Sequence, residues 1–274
     1  MNSIVLLRGG GDLATGVAAR LHRAGLSVLI TELPEPLVVR RMASFAQAVF
    51  SGSHTVQGLT ARRATDLTAA LDILASGELP ILIDPDLMCL PALRPAVLVD
   101  ARLAKRASIA GMDAAPLVIG LGPGFTAGQD CHAVVETQRG HNLGRVYWEG
   151  RAATDTGVPE SVGGRGAERV LRAPAAGKLI AHAAIGDLLD EGAPIAEAGG
   201  QVITAPFPGV LRGLLFPGLH VEPGAKIGDL DPRSDPAYCT SISDKALAIG
   251  GGVLEAVLTR LAIRALLYNA HAPD

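Results

Sequence analysis

Apolar positions along the chain fall into two textures. Up to about residue 165, short unbroken apolar runs alternate with stretches of helical spacing. Ile4-Val5-Leu6-Leu7 is a continuous run, the mark of a strand buried on both faces. Glycines follow at once, then an Ala-rich helical stretch from about 13 to 24 closed by Gly25, and a second strand over 27–31. Residues 66–75 place apolar side chains at 67, 70, 71 and 74, which predicts a helix leading through Gly77 and Pro80 into a strand over 81–83. Residues 96–99 and 117–119 predict further strands, the latter again running into a glycine-rich loop. Strand, helix, strand is the order of a parallel sheet covered by helices.

From about residue 170 helical spacing disappears, and short alternating strands are separated by Gly and Pro. This region is duplicated. Leu171-Arg-Ala-Pro-Ala-Ala-Gly177 realigns with Ile203-Thr-Ala-Pro-Phe-Pro-Gly209, and Gly177/Gly209, Gly186/Gly218, Gly192/Gly224 and Ile195/Ile227 share an offset of 32. Two β units, each too small to bury a core alone, are expected to pack together with quasi-two-fold symmetry. The pattern resembles the biotinyl/lipoyl-type barrel-sandwich hybrid, whose carrier lysine sits on the hairpin joining the halves. Here that joint is Ala198-Gly-Gly-Gln-Val202, and the nearest lysines, Lys178 and Lys226, lie inside the halves. A shape without a swinging arm follows: a packing or docking module, with no covalent biotin or lipoate.

The tail, 241–268, reads as a helix with Leu254, Val257, Leu258, Leu261, Ala265 and Tyr268 on one face, opened by a capping box at Ser241-Ile-Ser-Asp244. Gly250, Gly251 and Gly252 interrupt it, at about 1 kcal/mol each relative to Ala. Either the helix starts after Gly252 or another backbone or a ligand approaches there. The expected fold class is α/β: a Rossmann-like parallel-sheet domain over 1–165, a duplicated β-domain over 166–232, and a C-terminal segment and helix over 233–274 that packs back on the first domain.

Composition narrows the function. With 49% hydrophobic and 19% charged residues among 274, the chain has material for a real core. A net charge of −3 and only five Phe, three Tyr and one Trp argue against nucleic-acid binding, and a small-molecule ligand is expected. Cys89, Cys131 and Cys239 exclude a disulfide framework and a four-thiolate zinc site, which favours a reducing, cytoplasmic setting. The longest apolar stretch, near 246–268, carries Glu255, Arg260 and Arg264, so no membrane span is expected.

The opening loop holds the candidate chemistry. In Gly9-Gly10-Gly11-Asp12-Leu13-Ala14, the pattern Gly9-x-Gly11-x-x-Ala14 matches the dinucleotide fingerprint between a buried strand and a helix. Glu32, 21 residues beyond Gly11, stands where a carboxylate accepts from ribose hydroxyls. Asp12 repels phosphate unless it caps the helix. A bound nucleotide-containing ligand and a ligand-free Rossmann-like half both fit. The second loop, with Gly120, Gly122 and Gly124, is either an anion-binding nest or a tight turn. Asp130, His132, Glu136 and His141 follow it; they form a weak metal candidate, an acid/base set or a hydrogen-bonded loop. Asp84, Asp86, Asp100, Arg102, Lys105 and Arg106 come just after predicted strands, where open α/β sheets bind ligands; Arg102, Lys105 and Arg106 are either a phosphate-binding cluster or a solvated charged turn. Cys239 and Lys245 complete the catalytic candidates, with His132 and Glu136.

Six motifs together carry a resemblance: Arg8-Gly-Gly-Gly-Asp-Leu-Ala-Thr-Gly16, Thr31-Glu-Leu-Pro34, Ile119-Gly-Leu-Gly-Pro-Gly-Phe125, His132-Ala-Val-Val-Glu-Thr137, Arg139-Gly-His141, and Ile242-Ser-Asp-Lys-Ala-Leu-Ala-Ile-Gly-Gly-Gly-Val-Leu-Glu-Ala256. Over nearly its whole length the chain resembles the YqeB-type proteins of the selenium-dependent molybdenum hydroxylase system. The resemblance implies an accessory role in maturation of molybdenum hydroxylases of the xanthine dehydrogenase type, a setting in which sulfur or selenium is handled. The implied cofactor is a molybdopterin dinucleotide that is held, modified or delivered. The implied partners are the hydroxylase client or other maturation proteins, and a homo-oligomer stays open. Gly9, Gly11, Glu32, Gly122 and Gly124 fall on family-motif positions. Cys131 stands where the family pattern implies an apolar residue, whereas Cys239 fits it better. Two alternatives stay open. One is an NAD-dependent oxidoreductase on a small substrate, with His132 or Lys245 as acid/base, although no Tyr-x-x-x-Lys set accompanies the loop. The other is a scaffold without a ligand.

Overall fold

The computed structural model describes residues 2–103, 110–158 and 161–268. The chain forms two compact units: one of residues 1–36, 45–155 and 242–274, the other of residues 37–44 and 156–241. Elements are numbered along the chain, so each unit holds part of the series.

The first unit is mixed α/β. It contains β1 (Asn2–Arg8), α1 (Asp12–Arg23), β2 (Ser27–Glu32), α2 (Gln47–Ser51), β3 (Ser53–Val56), β4 (Leu59–Ala64), α3 (Leu67–Ala75) and β5 (Leu79–Ile83). It continues with α4 (Leu90–Leu93), β6 (Pro95–Asp100), β7 (Leu117–Leu121), β8 (Thr126–Ala127), β9 (Ala133–Val135), β10 (Val146–Tyr147) and β11 (Gly150–Arg151), and ends with α6 (Asp244–Thr259) and α7 (Leu261–Tyr268). Nine strands make one sheet in the order β10-β9-β7-β6-β1-β2-β5-β4-β3. The pairs from β9 through β4 are parallel, and antiparallel β10 and β3 close the edges. Leaving β4 aside and numbering the central parallel strands along the chain, the spatial order is 3-2-1-4-5-6, and it reverses between β1 and β6.

The unbroken apolar runs are explained by two cores, one on each face of the sheet. Val5 and Leu7 pack with Val17, Leu21, Ile249 and Val253 from α1 and α6. Leu6, Leu29 and Leu98 pack on the other side with Ala70 of α3. Helix α6 runs unbroken through its three glycines, and its N-cap is Ser243, whose hydroxyl accepts from the Ala246 amide. The expected cap at Ser241 is therefore two residues early. Of the two readings of the glycine triplet, close backbone approach is the one observed. A methyl on Gly250 would sit 2.5 Å from the Gly16 carbonyl oxygen, one on Gly252 would strike that of Gly144, and Gly251 faces open space. Among the described residues no single helix is long and apolar enough to cross a membrane.

The second unit is mainly β. It holds β12 (Val170–Arg172), β13 (Gly177–Lys178), β14 (Ile180–Ala181), β15 (Leu188–Leu189), β16 (Pro194–Ala198), β17 (Gln201–Thr204), β18 (Gly209–Leu214), β19 (His220–Val221), β20 (Lys226–Asp231) and α5 (Ala237–Thr240). The strands pair as β12-β20-β18-β15, β13-β19 and β14-β16-β17. The sequence offset reappears in the strand register. Leu171 opposite Gly228 is repeated by Ile203 opposite Ala196, and Arg172 opposite Lys226 by Thr204 opposite Pro194. Gly177 opposite Val221 is repeated by Gly209 opposite Leu189. Each half thus supplies strands to the other's sheets, so neither half satisfies its backbone alone. The joint is a tight hairpin, with Gly199 and Gly200 both at positive φ.

Candidate functional site

At the carboxyl edge of the parallel sheet, β1 ends on Arg8 and the chain turns through Gly9, whose φ of +99° favours glycine. The Gly9 amide donates to the Thr31 carbonyl at 2.8 Å. A methyl on Gly9 would lie 3.4 Å from Cγ of Arg102, so the glycine also lets that arginine's stem lean over the loop. Gly11 is the N-cap of α1, in extended conformation and with no side-chain cap. First-turn amides have no partner within their own helix, and the positive end of the helix dipole lies there. Asp12 is the acidic residue of that first turn rather than its cap.

The middle of the loop is held from beneath. The Gly10 amide donates to Oε1 of Glu32 at 2.8 Å and the Leu33 amide to Oε2 at 2.6 Å. The Ala46 amide donates to the Gly10 carbonyl at 2.8 Å, and a methyl on Gly10 would come within 3.2 Å of that amide. The Thr15 hydroxyl donates to the Gly11 carbonyl at 2.9 Å and accepts from the Phe45 amide at 2.9 Å. Glu32 is buried, and that burial pushes its carboxyl up, with the two amides pulling the other way. Its observed partners are loop amides, so it braces the glycine loop where the sequence spacing pointed to a ribose. Glu32→Ala is expected to cost about 1–3 kcal/mol, the price of stranding these amides, as read from urea unfolding.

Beside the loop, at the end of β6, Asp100 is gripped by Arg102, with Nε donating to Oδ1 at 3.0 Å and Nη2 to Oδ2 at 2.7 Å. Buried Arg8 brings Nη1 to 3.7 Å from the same carboxylate and donates from Nη2 to the Pro85 carbonyl at 2.8 Å. The Arg8 guanidinium is held below its ordinary value, first by burial and then by Arg102. Asp84 accepts from the Met88 and Cys89 amides, and burial together with Asp84 pushes the Cys89 thiol up to about 12. Lys105 and Arg106 lie outside the described residues.

The second glycine loop is filled by protein. A methyl on Gly120 would run into the Phe125 ring, and one on Gly122, at φ +84°, would lie 2.9 Å from Thr137 Oγ1. The Gly122 amide is taken by the Val135 carbonyl, and Gly124 sits in the turn that follows. This loop is observed as a tight turn.

His132 and Glu136 flank β9 at opposite ends. His132 Nδ1 accepts from the Val118 amide at 2.9 Å, and burial, then Arg260, lowers its pKa, so the imidazole is neutral at pH 7. Glu136 accepts from Thr137, Gln138 and Ala153 amides. His141 is exposed, and among the described residues no three His, Cys, Asp or Glu side chains gather to hold a metal ion. Lys245 is half-buried in the first turn of α6, beside Asp244, which binds Arg139 at 2.6 Å. Cys239 belongs to the second unit; its thiol is buried, 3.7 Å from the Leu211 carbonyl, and pushed up by that burial against the opposing pull of Arg212 and Arg40. His132 and Glu136 are therefore held apart at the two ends of β9, whereas Gly9 and Arg102 adjoin. Sequence spacing gave no sign of Ala46 or Thr15 in the loop's support; Arg8 stood in its first motif, but its pairing with Asp100 is visible only in the strand register.

No family model matches the chain. Among solved structures it aligns with an aspartoacylase family protein from Mesorhizobium loti, covering 84% of this chain and 85% of that one at 11% identity, with a TM-score of 0.26 that carries no argument. The chain is 51% identical over 257 residues, 94% of its length, to "Uncharacterized protein YqeB" of Escherichia coli (strain K12), and it spans 48% of that protein, about half.

Proposed function

We propose that the first unit binds the pyrophosphate of a dinucleotide where β1 and β6 part, and that the chain serves as an accessory protein in maturation of molybdenum hydroxylases by holding a molybdopterin dinucleotide there. The observation that carries the ligand site is the reversal of strand order between β1 and β6, with the glycine loop and the uncapped start of α1 placed on it. In open α/β sheets this is the crevice outside the carboxyl ends of the strands. The residues fit a pyrophosphate: helix-start amides from Gly11 onward, and the Arg102 guanidinium preset by Asp100. The choice of pterin over other dinucleotides rests on the six sequence motifs. When bound, the molybdopterin supplies the dithiolene that ligates molybdenum. The chain's own residues orient the phosphates and keep the loop rigid through Glu32, Thr15 and Ala46.

The NAD-dependent reading loses its ribose acceptor to the loop brace. Of its two acid/base candidates, His132 lies at the amino end of β9, away from the carboxyl edge that carries Gly9 and Arg102, and Lys245 lies in the first turn of α6. The second unit, with crossed strands and a lysine-free joint, supports a module of barrel-sandwich type used for packing or docking.

The test is native mass spectrometry of protein from a molybdenum-replete host, followed by release and identification of the ligand. A pterin dinucleotide is expected, and Arg102→Ala is expected to weaken its binding about 10- to 100-fold, the size of a hydrogen bond to a charged group. Release of NAD would turn the site toward a dehydrogenase. Protein that carries nothing and ignores both added dinucleotides would leave the scaffold reading.

A further inference from the structure

The duplication makes the second unit its own control, because each half shows what the other lacks. On the β12-β20-β18-β15 sheet, Val170 pairs with Asp229, and Arg212 grips the Asp229 carboxylate from β18. Arg169 adds a second guanidinium at 2.5 Å, and Asp229 is only 2% exposed. This face is covered. Val39 packs against Gly213, Arg41 donates to the Leu214 carbonyl, and Cys239 lies against Leu211.

The offset of 32 maps that row onto Val202, Glu197 and Ile180 of the β14-β16-β17 sheet, where Ile180 pairs with Glu197 and Glu197 with Val202. The acid is kept, as Glu197 for Asp229. Both arginines are replaced: Ile180 stands for Arg212, and Gln201 for Arg169. Ile180 is 50% and Val202 55% exposed on either side of the carboxylate. His182 brings Nε2 to 3.7 Å from the Glu197 carboxylate.

We propose that the outer face of the β14-β16-β17 sheet docks a segment of a partner protein that supplies an arginine to Glu197 between apolar contacts to Ile180 and Val202. Three features specify that chemistry. A β-branched pair flanking an acid in one register row calls for apolar groups on both sides of a cation. A carboxylate accepts a guanidinium in bidentate fashion, as Asp231 does from Arg233 in the same unit. The related row is covered in part by Leu37–Ser44, a stretch that itself carries Val39, Arg40 and Arg41.

That stretch supplies the probe. A fluorescein-labelled peptide of sequence LVVRRMAS is titrated into the full chain and followed by anisotropy. Saturable binding is expected, weakened at least about tenfold by Glu197→Gln, the size of one hydrogen bond to a charged group. Val202→Asp and Ile180→Asp are expected to weaken it comparably, and Glu222→Gln, a remote exposed acid, to leave it unchanged. All these side chains are wholly or partly exposed, so unchanged thermal unfolding verifies that the variants are folded. Absence of saturation up to about 1 mM, which corresponds to about −4.1 kcal/mol, overturns the proposal. Binding indifferent to Glu197→Gln also overturns it, because the peptide is then seated elsewhere. So does equal binding by a peptide whose two arginines are glutamines.

Discussion

Alanine at Gly250 or Gly252 destabilises the protein, while alanine at Gly251, between them, stabilises it. Ordinary helix propensity predicts a gain of about 1 kcal/mol at each of the three. At Gly251 nothing lies within 4 Å of the added methyl, so the gain is realised. At Gly250 the methyl would sit 2.5 Å from the Gly16 carbonyl oxygen and 2.9 Å from Cγ of Arg20, and the α1 backbone cannot rotate away as a side chain can. At Gly252 it would collide with the Gly144 carbonyl and come within 2.9 Å of Val135 Cγ1. Overpacking of this kind costs about 1–3 kcal/mol, occasionally more, so the net sign is negative at both positions. Gly16→Ala, which presses on Ala246 from the other side, is expected to behave alike. Urea midpoints for the single variants decide it. Three equal stabilisations would mean that α1 and α6 do not cross at these glycines.

The same triplet shows how far the sequence could be read. Three glycines in an apolar helical pattern signalled either a helix start or a close approach, and choosing between them required Gly16 and Gly144, more than a hundred residues upstream. Local signals did better. The run Ile4-Val5-Leu6-Leu7 became a fully covered central strand, because only a two-sided core makes such a run favourable. The offset of 32 survived into strand register because glycines and prolines mark turns at fixed places in each half. The site was less legible. Glu32 has the spacing of a ribose acceptor, yet spacing is silent about which donors a carboxylate meets, and here they are the Gly10 and Leu33 amides. Closeness in sequence made His132 and Glu136 candidates for one site, but they stand at opposite ends of β9. Four residues at about 3.3 Å each separate the ends of a strand by roughly 13 Å. Gly120 left an anion nest and a tight turn both open because a glycine making room for Phe125 and one making room for a phosphate look alike in one dimension.

Removing the Asp229 carboxylate is expected to have the largest effect on the second unit. Asp229 and Asp231 sit on β20 with side chains 2% and 0% exposed, gripped by Arg169, Arg212 and Arg233. Asp229→Ala takes a carboxylate partner from Arg169, itself 8% exposed, and from half of the Arg212 fork. Breaking a buried pair from one side costs about 3–5 kcal/mol, because the remaining charge has lost both solvent and partner. The exposed Arg62–Glu78 pair is the contrast: solvent screens it, and its removal is expected to leave stability nearly unchanged despite short contacts. The cluster also sets an acid limit. Burial alone would raise the Asp231 carboxyl, but hydrogen bonds from the Arg233 side chain and backbone and the charges of Arg212 and Arg233 outweigh it and hold the group below the ordinary aspartate value. A carboxyl depressed in the folded state stabilises fully above the unfolded value, near pH 3.9, and that contribution is lost as pH falls through the folded value. Acid titration of the wild type should therefore show stability falling below about pH 4, and Asp231→Asn, already destabilised at pH 7, should fall less steeply over that range. Parallel acid limbs for the two proteins would show that Asp231 titrates no differently folded than unfolded, and that the arginines around it serve packing alone.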